Sequence, residues 1–159
     1  MNGHDQSSPA VASQVPDPGA PHPGIHRHTF AVTPDTVDVN GHVNNVVYVQ
    51  WMQDAAVRHS DAAGCTAATH AIGATWVVRS HHVDYLRPAF AGDVVEVHTW
   101  VVDFGRARSM RRYKFIRLSD RTVLARGETD WVFVDAATGR PRPIPEDVRS
   151  KFAPNPLLN

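Results

Sequence analysis

The stretch DVNGHVNNVVYVQW, residues 38–51, places several polar side chains in a turn directly before an apolar-faced segment. Asn40-Gly41 is a strong hairpin signal, and the valines that follow favour a strand. The spacing favours a helix instead, because apolar side chains recur every three or four residues up to Ala56. This stretch therefore predicts a turn leading into one long helix over residues 43–63, ended by Gly64 and about 30 Å long. The apolar series are Val47, Trp51, Ala55 and Tyr48, Met52, Ala56.

Period-two patterns dominate the rest of the chain. A short first strand is predicted over residues 26–32, and a short last helix over residues 145–152. In one of the longer strands, residues 109–118, both faces carry a similar mixture of polar and apolar side chains, so the pattern does not decide which face is buried. The order of elements predicts an α+β fold in which an antiparallel sheet wraps a central helix. Its uncovered edge favours a dimer or a larger oligomer. The four longer predicted strands are residues 75–86, 93–103, 109–118 and 122–134.

Composition narrows the class of protein. The chain has 159 residues, enough for one domain, with 16 basic and 16 acidic side chains, so nothing favours a nucleic-acid partner. No apolar run approaches the roughly 20 residues needed to span a bilayer, and no secretory signal is evident, so no membrane partner is expected. The single cysteine, Cys65, indicates a reducing compartment and hence a cytoplasmic location.

The ends of the chain differ in composition from its middle. Residues 1–25 are rich in Pro, Gly, Ser and Ala and predict a disordered tail, with the folded domain over residues 26–153 and a second tail over 154–159. His22, His26 and His28 are interpreted as a solvated, histidine-rich strand edge. Neither Cys/His metal spacing nor a Gly-rich phosphate loop is present, so no metal or cofactor is expected.

The polar turn carries several side chains that are capable of chemistry. The Asp38 carboxylate can act as a general base or attack directly, and the residues do not separate these routes. Asn40 can orient water, and His42 can polarise a carbonyl or shuttle a proton. The same residue types also serve as caps and turns in purely structural roles.

A substrate-binding role is predicted for the residues around the start of the helix. Gly41 permits close backbone approach, and the amides of Val43, Asn44 and Asn45 can stabilise an oxyanion at the helix N-terminus. Tyr48 is a candidate lining residue of a substrate pocket.

The motif and a downstream signature together resemble the hotdog-fold thioesterases, in particular the 4-hydroxybenzoyl-CoA thioesterase-like branch. The Asp-x-Asn-x-His-Val-Asn-Asn core is also similar to the plant acyl-acyl-carrier-protein (ACP) thioesterases. The resemblance extends over roughly residues 30–149. The residues that carry it are Asp38, Asn40, Gly41, His42, Val43, Asn44, Asn45, Tyr48 and Trp51, then Asp84-Tyr85-Leu86-Arg87-Pro88 and Gly92-Asp93.

The resemblance implies a fold and an activity. It implies a hotdog fold, dimers with active sites at the interface, and often tetramers. It places the catalytic carboxylate at Asp38, with Asn40 and His42 in the plant-type active site, acting on an acyl-CoA or acyl-ACP. One departure is Thr36, where many relatives carry a second Asp.

Three functions remain open at this point. The leading hypothesis is hydrolysis of an acyl thioester to free acid and thiol. A hotdog hydratase or dehydratase would use Asp38 and His42 as an acid–base pair, and a non-catalytic module would bind the thioester without turnover. Neither the acyl group nor the arginines that contact CoA phosphates can be chosen. The available arginines are Arg79, Arg87, Arg106, Arg108 and Arg111.

Overall fold

The computed structural model describes residues 24–158, so the predicted disordered tail over residues 1–25 lies almost wholly outside the described residues. Within that range the chain forms five strands and three helices, together with a short 3-10 turn at Pro34–Thr36. The elements are β1 His26–Ala31, α1 Asn45–Ala62, α2 Cys65–Ala71, β2 Ala74–Tyr85, β3 Val94–Phe104, β4 Arg108–Arg117, β5 Val123–Asp135 and α3 Glu146–Arg149.

The strands form one antiparallel sheet in the order β1-β3-β4-β5-β2. The helix α1 packs on one face of this sheet and buries Tyr48, Trp51, Met52, Ala55 and Ala56, the side predicted from the spacing. Its apolar partners come mainly from β3, β4 and β5. The predicted α+β hotdog architecture, a long helix against an antiparallel sheet, is therefore confirmed.

Two helical details differ from the prediction. The helix α2 was not predicted, because seven Ala- and Thr-rich residues are too few to show a helical period. Gly64, with a φ of +77°, separates α2 from α1. The last helix, α3, has only four residues, shorter than the predicted 145–152. Helices this short are stabilised by tertiary packing, as Cys65 and Val148 show by sharing one buried cluster.

The structure settles which face of β4 is buried. Ser109, Arg111, Tyr113 and Phe115 are all buried, and they alternate with half-buried side chains on the opposite face. Residues 154–158, predicted as a tail, have no regular structure but lie against the sheet. The Asn155 N–H donates to the Val101 carbonyl oxygen at 2.9 Å.

Within residues 24–158, none of the helices is long and apolar enough to cross a membrane. The same range contains no group of three or more His, Cys, Asp or Glu side chains placed to hold a metal ion. His26 and His28 lie on β1, while His22 falls outside the described residues.

Candidate active site

The motif forms a closed turn at the entrance to α1. Val37 and Val43 make an isolated antiparallel bridge, the Asp38 N–H donates to the His42 carbonyl oxygen at 2.8 Å, and the Gly41 N–H donates to the Asp38 carbonyl oxygen at 3.0 Å. Gly41 has a φ of +77°, a backbone conformation that glycine adopts without strain. The hairpin signal and the helical spacing are thus both realised, because a hairpin-like turn ends where the helix begins.

The Asp38 carboxylate is half-buried and only partly engaged. Its Oδ1 accepts the Asn40 N–H at 2.8 Å, which fixes the side chain across the turn. Among the described residues, no basic side chain forms an ion pair with Asp38. The second carboxylate oxygen is therefore available to a water molecule or a substrate.

The backbone amides at the start of α1 are not equivalent. The Val43 N–H donates to the Ala89 carbonyl oxygen at 2.9 Å, and the Asn44 N–H donates to the Thr36 carbonyl oxygen at 2.9 Å. Asn44 caps the helix, because its Oδ1 accepts the Val46 N–H at 3.1 Å. Within the described part of the chain, the Asn45 N–H meets no acceptor. Of the three amides predicted to donate to an oxyanion, only that of Asn45 therefore has no acceptor within residues 24–158.

The downstream signature packs directly against this turn. The Tyr85 hydroxyl donates to the Asn45 carbonyl oxygen at 2.8 Å, and the Phe90 ring meets the His42 ring edge-on, with centroids 5.4 Å apart. Asp93 braces the loop that carries Phe90, because its Oδ2 accepts the Phe90 N–H at 2.9 Å and the Arg117 Nε–H at 3.0 Å. Two segments about 40 residues apart in sequence thus form one site.

Sequence reasoning did not assign Tyr85, Phe90 or Arg117 to the site. Tyr85 and Asp93 lie inside the downstream signature, which is the signal that could have found them. Arg117 carries no comparable signal, because its contact with Asp93 depends on the pairing of β3 with β4.

Most of the predicted site residues line the surface of the turn, and two lie beneath it. Asn40, Gly41, His42, Asn44 and Asn45 are exposed. Val43 and Tyr48 are buried in the main core, Tyr48 between the rings of Trp51, Tyr85 and Phe115. Burial, with a contribution from Tyr85, raises the pKa of Tyr48 to about 12. In this structure Val43 and Tyr48 support the turn from below.

Apolar side chains surround the turn at the surface. Val39 is fully exposed and Val46 is 72% exposed, and three large apolar neighbours from the downstream segment are exposed beside them. Exposed apolar clusters of this kind mark sites that bind a ligand or another protein. The three neighbours are Tyr85, Leu86 and Phe90.

The candidate arginines for CoA fall into two groups. Arg79, Arg87, Arg106 and Arg108 are exposed, and Arg108 forms an ion pair with Asp130. Arg111 is only 4% exposed and lies in the interior, so it cannot meet a phosphate at the protein surface.

Comparison with known proteins places this fold and turn in one family. The family model of the thioesterase-like superfamily matches residues 32–152. The chain is 31% identical over 143 residues to a chloroplastic dodecanoyl-[acyl-carrier-protein] hydrolase of Cinnamomum camphora, a match that covers 84% of this chain and 37% of that protein. The chain therefore spans a little over a third of the length of that relative.

Solved structures agree with this assignment. A 12:0-ACP thioesterase from Umbellularia californica superposes with a TM-score of 0.74 at 26% identity, over 82% of this chain and 51% of the other. A 1,4-dihydroxy-2-naphthoyl-CoA thioesterase from Synechocystis shares the fold with a TM-score of 0.72 at 18% identity, over 80% of this chain and 95% of the other. This protein belongs to the thioesterase-like superfamily of hotdog-fold proteins.

Proposed function

We propose that this protein hydrolyses an acyl thioester to a free acid and a thiol at the turn formed by residues 38–45. The observation that carries the proposal is the pairing of two groups at the entrance to α1. One is the half-buried Asp38 carboxylate, held at one oxygen by the Asn40 amide. The other is the Asn45 N–H at the positive end of the helix, which has no acceptor among the described residues. Membership of the thioesterase-like superfamily supports the same reaction.

The chemistry follows from these two groups. In the general-base route Asp38 removes a proton from a water molecule while the water oxygen attacks the thioester carbonyl carbon. The C–S bond then breaks, and the leaving thiolate takes up a proton to give the thiol. In the nucleophilic route the Asp38 carboxylate attacks the carbon itself, the C–S bond breaks and the thiolate leaves with a proton from solvent. Water then hydrolyses the mixed anhydride, which releases the acid and frees Asp38. In both routes the Asn45 N–H stabilises the negative charge that develops on the carbonyl oxygen. Rapid-quench mass spectrometry separates the routes, because only the second acylates Asp38.

The neighbouring side chains take supporting roles in this proposal. Asn40 and His42 are exposed beside Asp38, where Asn40 orients the attacking water and His42 polarises the carbonyl or carries a proton to the leaving thiolate. Gly41 and Asn44 line the approach of the substrate, and Val43 and Tyr48 form the floor beneath it.

We assign the substrate to the acyl-CoA or acyl-ACP class. A relative named as a dodecanoyl-[acyl-carrier-protein] hydrolase supports an ACP substrate, and a fold neighbour named as a naphthoyl-CoA thioesterase is compatible with CoA. A panel of aliphatic and aromatic acyl-CoA and acyl-ACP thioesters, followed by thiol release, identifies the class. Enoyl-CoA added to the same panel tests for hydration, which would appear as loss of alkene absorbance without thiol release.

We also propose that the active form is a homodimer or homotetramer in the cytoplasm. A partner subunit would cover the exposed apolar side chains around the turn. It would also cover the long edge of β2, which pairs with no strand among the described residues on that side. The cytoplasmic location is supported by Cys65, the single cysteine, which is buried and unpaired as in proteins of reducing compartments. Immunoblotting of cell fractions tests the location.

Asp38→Asn tests the function directly. The change keeps the shape of the side chain and removes the base, so kcat/KM for the best thioester should fall about 100- to 10,000-fold. Asp35→Asn is the matched control, because Asp35 is an exposed acid three residues upstream, and its turnover should stay within about twofold of wild type. Equal turnover of Asp38→Asn and wild type, with both proteins folded by circular dichroism, would reject the proposed site.

A further inference from the structure

A cavity lies between the helices and the sheet, away from the turn that holds Asp38. Its volume is about 260 Å³, and it is lined by the C-terminal half of α1, by α2 and by the sheet. It is partly open to solvent, since the lining residues Val57 and His70 are exposed. None of residues 38–48 lines it, and Ala56, on its wall, is about 17 Å along α1 from Asn45. Its lining includes Ser60, Thr69, Trp76, Arg111 and Trp131.

Arg111, a buried cation, is one of the residues that line this cavity. The residue is only 4% exposed, and its Nη1 donates to His59 Nδ1 at 2.9 Å and to Thr99 Oγ1 at 3.1 Å. Its guanidinium carbon lies 5.3 Å from the centroid of the Phe152 ring. All three partners are neutral, since the pKa of His59 is lowered to about 3, mainly by burial and also by Arg111 and His26.

No carboxylate balances this charge within residues 24–158. Arg111 forms no ion pair there, and its Nε and Nη2 groups meet no acceptor among those residues. Burial lowers the pKa of the Arg111 guanidinium, as expected for a buried cation without a carboxylate beside it. Burial of an ion costs several kcal/mol unless a counter-charge offsets the loss of hydration.

The remaining walls of the cavity fit an apolar body. Trp76 and Trp131 supply aromatic surface, and Ser60 and Thr69 add hydroxyl groups. A guanidinium pairs with a carboxylate through two parallel hydrogen bonds, which matches the N–H groups left on Nε and Nη2.

We propose that this cavity binds a small organic monocarboxylate, with the carboxylate on Arg111 and the apolar body between α1, α2 and the sheet. A cavity of about 260 Å³, filled at the density of a protein interior, holds a body of about six to ten carbon atoms. The site does not depend on the proposed hydrolase function, because no group of the Asp38 turn contributes to it.

Titration of the full-length protein with octanoate tests the proposal, with octan-1-ol as the neutral analogue and potassium chloride as the inorganic anion. Binding is followed by calorimetry and by tryptophan fluorescence, to which Trp76 and Trp131 contribute from the cavity wall. Octanoate should bind saturably and at least tenfold more tightly than octanol, and chloride should not compete. Equal affinities, competition by chloride at matched concentration, or the absence of saturable binding would overturn the proposal.

Three variants locate the binding. Arg111→Met should weaken octanoate binding at least tenfold and leave octanol binding within about twofold. Ser60→Phe fills the cavity while Arg111 stays in place, so it should abolish binding of both ligands even if Arg111→Met fails to fold. Asp38→Asn should bind octanoate like wild type, whatever its thioesterase activity. Loss of octanoate binding in Asp38→Asn together with normal binding in Arg111→Met would place the acid in the active site and overturn the proposal.

Discussion

Asp35 and Asp38 carry the same functional group three residues apart in different surroundings. Asp35 is exposed in a 3-10 turn. Asp38 is half-buried, and its Oδ1 is held by the Asn40 amide inside a closed turn. A carboxylate that is positioned and partly shielded from water is suited to act on a bound carbonyl, because its geometry is fixed before the substrate arrives.

His59 gives the protein a predictable sensitivity to acid. Burial, Arg111 and His26 lower its pKa from 6.5 to about 3. Between pH 6.5 and about pH 3, the His59 side chain binds a proton in the unfolded chain but not in the folded chain. The contribution of His59 to the free energy of unfolding is therefore complete above pH 6.5 and decreases as the pH falls towards 3. The loss is at most about 1.4 kcal/mol per pH unit.

His59→Gln removes the titrating group and keeps an acceptor for Arg111. Urea unfolding at pH 7 and at pH 5 should show a smaller difference in the free energy of unfolding for the variant than for wild type. The same difference in both proteins would contradict the assignment of the acid sensitivity to His59.

At the scale of the element, the first turn of α1 depends on one side chain. Asn44 Oδ1 caps the Val46 N–H at 3.1 Å. Asn44→Ala should therefore lower the free energy of unfolding by about 1 kcal/mol. Asn44→Ser, whose hydroxyl can still cap the helix, should retain most of the wild-type stability. Urea denaturation of both variants measures the difference. If alanine and serine proved equally stable at this position, the cap would have no energetic role.

The contact between α1 and the sheet depends on the absence of a side chain in β5. A methyl group at Gly127 would lie 2.9 Å from Met52 Sδ, and Met52 is fully buried. Gly127→Ala should lower the free energy of unfolding by about 1–3 kcal/mol, because the helix and the sheet cannot separate without loss of packing.

Gly105→Ala is the matched control, since its new methyl group would meet nothing closer than the Arg108 carbonyl oxygen at 3.7 Å. Thermal unfolding followed by circular dichroism compares the two variants. A Gly127→Ala protein as stable as Gly105→Ala would show that Met52 has room to move.

At the scale of the whole molecule, the sheet has one long edge. Within the described chain, β2 pairs only with β5, so the other side of its 12 residues is unpaired. Val77, in this strand, is 44% exposed. Edges of this length are normally covered or paired, which supports an interface between two copies of the chain.

Val77→Lys tests that interface. The added charge should raise the dimer dissociation constant at least tenfold, as measured by sedimentation velocity over a range of concentrations, because an uncompensated charge at an apolar interface opposes association. Leu157→Lys is the control, since Leu157 is 88% exposed outside the sheet. An unchanged constant in Val77→Lys, or a wild-type protein that is monomeric at all concentrations, would exclude this edge as the interface.

Most of the fold could be predicted from the sequence because its signals are local. The period of three and four residues after Tyr48 and the alternation within residues 75–134 depend only on near neighbours, and they predicted the long helix, the antiparallel strands and the buried side of α1. The turn around Asp38 also has a local signal, since the three hydrogen bonds that Asp38 makes within it join residues two to four positions apart. The helix α2 was missed because it is shorter than two periods.

The features that only the tertiary structure decided are those that depend on distant partners. Of the three amides at the start of α1, that of Asn45 is the one left without an acceptor in the described chain. The two amides before it donate to the carbonyl oxygens of Ala89 and Thr36. Arg111 is buried because β4 places it against His59 and Thr99, residues that are 52 and 12 positions away. The sequence pattern predicts which side chains can be buried. Whether a buried cation or a backbone amide has a hydrogen-bond or ion-pair partner depends on which distant segments the fold brings together.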